Sequence, residues 1–256
     1  DVSNPQNPVL LGSYDTPSCA LSVTVSNNIA YVADGESGLQ IIDVTNPQNP
    51  ALLDSYDTPS SASSIFVSNN IAYVADYGAG LQIIDVSNPQ NPALVGYYDT
   101  PGYPYSFIVS NNIAYIADHY AGLQIIDVSN PKNPALVGSY DTPGYAYSVF
   151  VSNNIAYIAD RFVDLQIIDV SNPQNPALLG SYNMPDFALS VTVSNNIAYV
   201  TYEGVGLRII DVSNPAAPVL LNTILPRPSS LISKCIISNN LLIISDTNWD
   251  ELYFYN

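Results

Sequence analysis

The stretch SNNIAYVAD occupies residues 26–34, and close copies of it begin at residues 68, 110, 152 and 194. A degraded copy, SNNLLIISD, begins at residue 238. The chain is therefore a series of repeats of about 42 residues, with no linker or change of composition between them. The six segments begin at Asp1, Asp43, Asp85, Asp127, Asp169 and Asp211. The sequence predicts one domain over residues 1–256.

Each repeat contains four short runs rich in β-branched and aromatic residues, such as SVTVSN, NIAYVAD, GLQIIDV and PVLLGSYD. Clusters of Asn, Asp, Gly and Pro separate the runs, which is typical of strands joined by turns. Asn27-Asn28 lies between the first two runs, and this pair tolerates the positive φ of a tight hairpin. No 3.6-residue periodicity indicates helices. Each repeat is predicted to be a four-stranded antiparallel sheet.

Repeats of this length with four strands are typical of propeller blades. The predicted fold class is all-β, a six-bladed β-propeller of four-stranded antiparallel blades. The chain begins with a fourth-strand run at residues 8–15 and ends with a third-strand run at residues 252–256. We expect these two segments to pair, so that the N-terminal strand completes the last blade and closes the ring.

The segments GLQIIDVSNPQNP and NIAYVAD, repeated through the chain, resemble the LVIVD-repeat family of prokaryotic β-propellers. The pentad LQIID at residues 39–43 and its copies carry the resemblance. It implies a bacterial repeat module of extracellular or cell-envelope proteins, with no assigned set of active-site residues. The last repeat departs most, with LYFYN where the others have LQIID or LRIID.

Charge and motif content narrow the possible partners. The 22 acids against 5 bases give a net charge of -17, which repels nucleic-acid backbones. No apolar run is long enough to span a bilayer, so no membrane insertion is expected. Cys19 and Cys235 are predicted not to be bonded to each other, and no motif indicates a metal or a cofactor. This acidic protein is expected to be monomeric or part of a larger multidomain chain.

The repeats vary at two of their four connections. The Ser-Asn-Asn turn and the Asn-Pro-Gln-Asn-Pro connection are nearly constant, whereas the connection before the first strand and that between the second and third strands differ between repeats. In an up-and-down sheet these two connections leave the same face. Because binding groups are usually placed on loops of a rigid scaffold, we predict an axial pocket on this variable face.

The candidate site residues come from these connections and from positions where a repeat breaks its own pattern. Lys234 replaces a serine that the other five repeats carry at the corresponding position, and a lysine near the axis could anchor an anion or act as a base. The candidate catalytic residues are Lys234, His119 and Glu203. The candidate ligand-binding residues are Tyr103, Tyr105, Tyr145, Tyr147, Arg161, Phe162, Phe187, Tyr202, Arg208 and Trp249. Structural interpretations stand beside these: charge balance for the cations, a polar turn for His119, and packing for the aromatic rings.

Three functional classes remain open at this point. The first is a binding module whose aromatic, mixed-charge face takes a glycan, a small molecule or a protein. The second is a cyclase, lyase or hydrolase that acts on a small organic substrate with acid and base residues in the pocket. The third is a purely structural repeat protein. No nucleophile elbow, phosphate loop or paired-carboxylate motif is present, which favours the binding module.

Overall fold

The computed structural model describes residues 3–4, 7–183, 187–226, 232–238, 241–247 and 251–255. Clustering of contacts divides the chain into two compact units, which we call unit 1 and unit 2. Unit 1 comprises residues 1–114 and 126–136, and unit 2 comprises residues 115–125 and 137–256. The single domain expected over residues 1–256 stays a prediction.

The described residues form 23 strands in six antiparallel sheets. The first three strands of each sheet come from one repeat, and the fourth strand, where present, comes from the next repeat. The first sheet contains β1 (Ser22–Ser26), β2 (Ile29–Ala33), β3 (Leu39–Asp43) and β4 (Ala51–Tyr56). The second contains β5 (Ala62–Ser68), β6 (Ile71–Asp76), β7 (Gly80–Asp85) and β8 (Ala93–Tyr98). The third contains β9 (Ser106–Ser110), β10 (Ile113–Ala117), β11 (Leu123–Asp127) and β12 (Ala135–Tyr140). The fourth contains β13 (Ala146–Ser152), β14 (Ile155–Asp160), β15 (Asp164–Asp169) and β16 (Ala177–Tyr182). The fifth contains β17 (Ala188–Ser194), β18 (Ile197–Tyr202), β19 (Gly206–Asp211) and β20 (Val219–Ile224), and the sixth contains β21 (Ile232–Ser238), β22 (Leu241–Asp246) and β23 (Glu251–Tyr255). The described part of the chain contains no helix with the length and apolar character needed to cross a membrane.

The Asn-Asn hairpins are confirmed. Asn27 and Asn28 have φ values of 51° and 62°, and the corresponding pairs in the next four repeats adopt nearly the same angles. Two successive left-handed residues form the turn whose twist matches that of antiparallel strands. The register follows directly, with Ser26 opposite Ile29 and Val23 opposite Val32. The constant Asn-Asn pair thus fixes which side chains of the first two strands face each neighbour.

The connection between the third and fourth strands is fixed by its own side chains. Asp43 accepts a hydrogen bond from the Thr45 N–H at 2.8 Å, and Asn46 accepts one from the Gln48 N–H at 3.2 Å. The hydrogen bonds from Thr45 lower the pKa of Asp43. Asp-Val-Ser/Thr-Asn-Pro is therefore a turn motif in which the carboxylate and the amide satisfy backbone donors. These contacts explain why the repeats keep this connection nearly constant.

The predicted pairing of the N-terminal segment with the last sheet stays a prediction. Among the described residues the sixth sheet has three strands, and residues 8–15 are in no strand. The segment packs beside the first sheet, where the space next to the Gly12 Cα is filled by the carbonyl oxygen of Pro47. Gly96 packs beside Pro131 in the same way. Residues 8–15 therefore lie beside the following sheet at the place that a fourth strand such as β8 takes.

The cores lie between consecutive sheets. We call the face of a sheet that packs against the preceding sheet its leading face, and the opposite face its trailing face. In unit 1, the trailing-face residues Leu39 and Ile41 of the first sheet cluster with the leading-face residues Ile65 and Val74 of the second. In unit 2, the fourth and fifth sheets, and the fifth and sixth, form junctions of the same kind. Both faces of an inner sheet are therefore apolar, which explains why NIAYVA is a continuous apolar run and not an alternating one.

Candidate functional site

The aspartates that end the second strands hold the first variable connection in place. Asp34 accepts hydrogen bonds from the Thr16 hydroxyl at 2.7 Å and the Ser18 N–H at 3.0 Å. Asp76 accepts a hydrogen bond from the Ser60 N–H at 3.0 Å. In the fourth repeat, Asp160 makes the same contact with Gly144. These carboxylates act as loop anchors, and burial raises the pKa of Asp76 to about 6.

Glutamines of the third strands hold the second variable connection. Gln40 is buried and donates from Nε2 to the carbonyl of Ser37 at 2.7 Å. Gln82, Gln124 and Gln166 donate in the same way to carbonyls three residues earlier. In the first four repeats, both variable connections are thus fixed by the same buried polar side chains, an aspartate and a glutamine. The loop side chains can change while the loop backbone stays in place.

In unit 1, three tyrosines of these connections pack together. Tyr77 and Tyr103 are stacked, with ring centroids 4.5 Å apart and an interplanar angle of 2°. Tyr105 packs edge-on against Tyr77, and the two hydroxyl groups lie 3.4 Å apart. Tyr103 keeps an exposed ring surface. Of the predicted ligand-binding residues, Tyr103 and Tyr105 therefore form one cluster, which also includes Tyr77.

In unit 2, a longer cluster forms, which we call the aromatic strip. Its members come from three successive repeats and are His119, Tyr120, Tyr145, Tyr147, Arg161, Phe162 and Phe187. His119 is stacked on Tyr145 with centroids 4.1 Å apart. Tyr145 packs edge-on against Phe162, and Phe162 against Phe187. Tyr120, Tyr145, Phe162 and Phe187 are all exposed, so the strip presents a continuous apolar surface to solvent.

The Arg161 guanidinium lies between two rings of the strip. Its central carbon is 5.3 Å from the Tyr147 centroid and 4.9 Å from the Phe187 centroid, within the range of cation–π contacts. It donates to the Tyr147 hydroxyl at 2.7 Å and lies 3.5 Å from a Glu203 carboxylate oxygen. The ion pair with Glu203 is half-exposed and contributes little to stability by itself. Arg161 therefore ties Tyr147, Phe187 and Glu203 to one position at the edge of the strip.

His119 occupies a backbone position that normally requires glycine. Its φ is 50°, and the corresponding residue of the first repeat is Gly35, with a φ of 51°. His119 exchanges two backbone hydrogen bonds with Ala146, as Gly35 does with Ala62. A non-glycine residue in this left-handed conformation costs about 1 kcal/mol. Burial and the nearby Arg161 charge lower the pKa of His119, so the ring that stacks on Tyr145 is neutral at pH 7.

Lys234 lies on β21 at the position that the sequence alignment gives it. It is opposite Ser245, as Ser148 is opposite Ala159 and Ser190 is opposite Thr201. Lys234 keeps an exposed side chain, although the surrounding protein lowers its pKa by desolvation. The Ser245 hydroxyl lies 2.9 Å from that of Ser233 and 3.2 Å from the Lys234 carbonyl oxygen. A joint role of Lys234 with His119 and Glu203 stays a prediction, as does the axial cavity.

Of the remaining predicted ligand-binding residues, two are buried and one is not among the described residues. Tyr202 and Arg208 are buried, and the Arg208 guanidinium carbon lies 4.3 Å above the Tyr202 ring. In the fifth repeat these two residues replace the loop-anchoring aspartate and the buried glutamine, so a stacked pair takes the place of two polar anchors. Trp249 lies outside the described residues. Cys19 and Cys235 are both free, as predicted, and burial raises the pKa of Cys235 to about 12.

A family comparison accounts for nearly the whole repeat series. The model of the LVIVD repeat matches residues 1–16, 19–58, 59–100, 101–142, 143–184 and 187–225. The chain belongs to the LVIVD repeat family. No curated protein matches this LVIVD chain. The repeats therefore establish the family.

Solved structures similar to this LVIVD chain establish the fold. A functionally unknown protein from Desulfotomaculum acetoxidans is 14% identical, with a TM-score of 0.71 over 94% of this chain and 84% of that one. Saccharomyces cerevisiae Sqt1 is 10% identical, with a TM-score of 0.73 over 93% and 74%. The computationally designed Ika8 protein is 11% identical, with a TM-score of 0.63 over 90% and 81%. The LVIVD chain is an all-β six-bladed β-propeller of mainly four-stranded sheets, and its last sheet has three strands.

Sequence reasoning missed two members of these clusters. Tyr77 and Tyr120 occur in the variable second connection, and Tyr120 directly follows the candidate His119. Their signal was present, since each places an aromatic ring where the first repeat has Gly35 or Glu36. The coupled exchange of Tyr202 and Arg208 was also visible as two pattern breaks in one repeat. Only the contact between their side chains shows that these breaks form one structural unit.

Proposed function

We propose that this LVIVD propeller is a non-catalytic binding module whose aromatic strip takes a carbohydrate. The observation that carries this proposal is the strip itself: four exposed rings held in fixed positions by stacking and edge contacts in unit 2. Exposed aromatic surface of this extent is unusual on a soluble protein unless it binds something. The flat, apolar faces of pyranose rings suit such a surface, and their hydroxyl groups suit a polar rim.

The polar rim and the net charge indicate which carbohydrates fit. Tyr147, Arg161 and Glu203 supply donors and acceptors beside Phe187. Arg161 already forms an ion pair with Glu203. The chain as a whole carries a net charge of -17. Acidic polysaccharides would therefore be repelled by the summed field of the protein. We propose a neutral oligosaccharide as the ligand.

The test is a titration of the full chain with neutral cello-, xylo- and chito-oligosaccharides, and with oligogalacturonate as the acidic comparison, by isothermal calorimetry. Tyr145→Ala removes the ring that contacts both His119 and Phe162. We expect this variant to bind a neutral oligosaccharide at least about tenfold more weakly than the natural chain, since ring contacts of this kind are worth about 0.5–1.5 kcal/mol beyond their buried area.

The matched control is Tyr97→Ala, which removes an exposed tyrosine of β8 that belongs to neither cluster. Binding by this variant should equal that of the natural chain. If no neutral oligosaccharide binds, or if both variants lose affinity equally, the proposal is wrong.

The second candidate function is an enzyme that uses Lys234 as base or nucleophile. It is favoured by the lowered pKa of Lys234 together with its position among serines in the register of the first strands. Turnover of an oligosaccharide that Lys234→Ser abolishes, with binding retained, would support this alternative against the binding module.

A further inference from the structure

A groove on the second sheet is lined by residues outside the aromatic strip. It has a volume of about 290 Å³, and all its lining residues belong to unit 1. Leu94, Tyr97 and Asp99 come from β8 and the residues that follow it, and Pro59 and Gly78 come from the two variable connections. This volume is at the lower end of the range for small-molecule sites, so the groove suits a small ligand.

Tyr97 distinguishes this groove from the same place beside the other sheets. The corresponding residues elsewhere in the chain are Ser13, Ser55, Ser139, Ser181 and Thr223. Tyr97 is 61% exposed, so its larger side chain adds little to the core. It lines the groove together with Leu94, which is also exposed. The Tyr97 ring is therefore available to a ligand, and an aromatic ring offers a large contact area.

A second exchange in the same sheet leaves the groove open. Gly78 takes the position that Glu36, Tyr120 and Phe162 have in the first, third and fourth sheets. The Gly78 N–H donates a hydrogen bond to the Ser60 hydroxyl at 3.2 Å, which holds the backbone of the connection here. The second sheet therefore adds an aromatic ring to this groove and has no side chain at residue 78 to cover it.

The charges around the groove favour a cationic ligand. Asp99 lines the groove and is exposed. Lys132 is the single lysine or arginine in the sequence of unit 1, and its backbone packs beside Gly96. Gly96 and Tyr97 pair with successive residues of β7, so their side-chain directions are opposite and Lys132 packs on the other face of β8 from Tyr97. The described residues that line the groove include no base, so its field is set by carboxylates.

We infer that this groove binds a small organic ammonium ion with an apolar body, such as an arylalkylamine. The ammonium group pairs with the Asp99 carboxylate and lies against the Tyr97 ring in a cation–π contact, while the apolar body covers Leu94 and Pro59. A neutral analogue loses both contacts of the charge, and an anionic analogue is repelled. This site goes beyond the proposed carbohydrate binding. It uses no residue of the aromatic strip, so a change of Tyr97 affects the amine and not the oligosaccharide.

The test titrates the full chain at pH 7 with three probes of similar shape, 2-phenylethylamine, 2-phenylethanol and 3-phenylpropionate, by ligand-observed NMR. The amine should bind at least about fivefold more tightly than the alcohol, because it alone makes the ion pair and the cation–π contact. The propionate should not bind. Tyr97→Ser should weaken binding of the amine at least about fivefold and leave the circular dichroism spectrum unchanged, since the chain already carries serine at four corresponding positions.

Asp99→Asn should lower the affinity for the amine to that for the alcohol. The matched control is Asp141→Asn, because Asp141 follows β12 in the same Tyr-Asp-Thr-Pro motif and its replacement changes the net charge equally. This control should bind the amine like the natural chain. The inference is overturned if the amine binds no better than the alcohol, if Tyr97→Ser keeps full affinity, or if the two asparagine variants lose affinity equally.

Discussion

Single buried carboxylates make the stability of the fold depend on pH. Asp76 is fully buried, and desolvation is the main reason that its pKa rises to about 6 from an ordinary 3.8. Between these values the folded protein binds the proton more tightly than the unfolded chain does. The free energy of unfolding therefore falls as the pH rises from about 4 to 6. Asp160 contributes in the same direction, because burial raises its pKa as well.

Replacing Asp76 by Asn should make the free energy of unfolding depend less on pH. The amide oxygen can still accept the hydrogen bond from the Ser60 N–H, and no charge is buried. Urea unfolding at pH 4, 5, 6 and 7 gives the free energy of unfolding at each pH. Between pH 4 and 7 this free energy should fall by about 1–3 kcal/mol less in the variant than in the natural protein. Asp85→Asn is the control: the pKa of Asp85 is lowered by hydrogen bonds from Ser87, so its contribution changes below pH 4. An unchanged slope in Asp76→Asn would contradict this explanation.

The connections between second and third strands depend on glycines with positive φ. Gly80 has a φ of 73°, and a Cβ there would overlap the carbonyl oxygen of Tyr98. Gly204 has a similar φ of 74°, but a Cβ there would meet no atom within 4 Å. Alanine variants of these two glycines therefore distinguish the cost of a strained backbone from the cost of a steric overlap with neighbouring atoms.

Gly80→Ala should lower the free energy of unfolding by more than Gly204→Ala does. The Gly204 variant carries only the cost of a left-handed alanine, about 1 kcal/mol. The Gly80 variant adds the displacement of the Tyr98 backbone at the end of β8, and we expect a total loss of about 2–4 kcal/mol. Chemical denaturation of both variants checks the difference, and equal losses would show that the close approach is unimportant.

Elements defined by local sequence were predictable, and those defined by distant partners were not. The Asn27-Asn28 hairpin follows from two adjacent residues that tolerate positive φ, so its register could be stated in advance. The pairing of residues 8–15 with residues 252–256 requires two distant chain ends to meet, and it stays a prediction. Counting strands also did not show that Gly12 packs beside Pro47. For the candidate site, the sequence showed which residue types occur in the two variable connections. The stacking of His119 on Tyr145 and the burial of Tyr202 depend on side-chain packing, which the repeat pattern does not encode.

At the scale of the whole molecule, the repeats combine a constant backbone scaffold with variable loop side chains. The connection at residues 35–37 and that at residues 119–121 have the same backbone hydrogen bonds and nearly the same φ at Gly35 and His119. Their side chains differ completely, since only the second contributes rings to the aromatic strip. If the account is correct, one connection can replace the other without changing the fold.

The direct test is a graft of the first repeat's connection into the third: His119→Gly, Tyr120→Glu and Ala121→Ser in one chain. Circular dichroism and the unfolding midpoint should match those of the natural protein within a few degrees, because glycine removes the strain at residue 119 while the ring contacts are lost. Calorimetric titration with the neutral oligosaccharide that the natural chain binds should show at least a tenfold loss of affinity. A graft that unfolds would contradict the constant scaffold, and a folded graft that keeps full affinity would contradict the aromatic strip as the binding site.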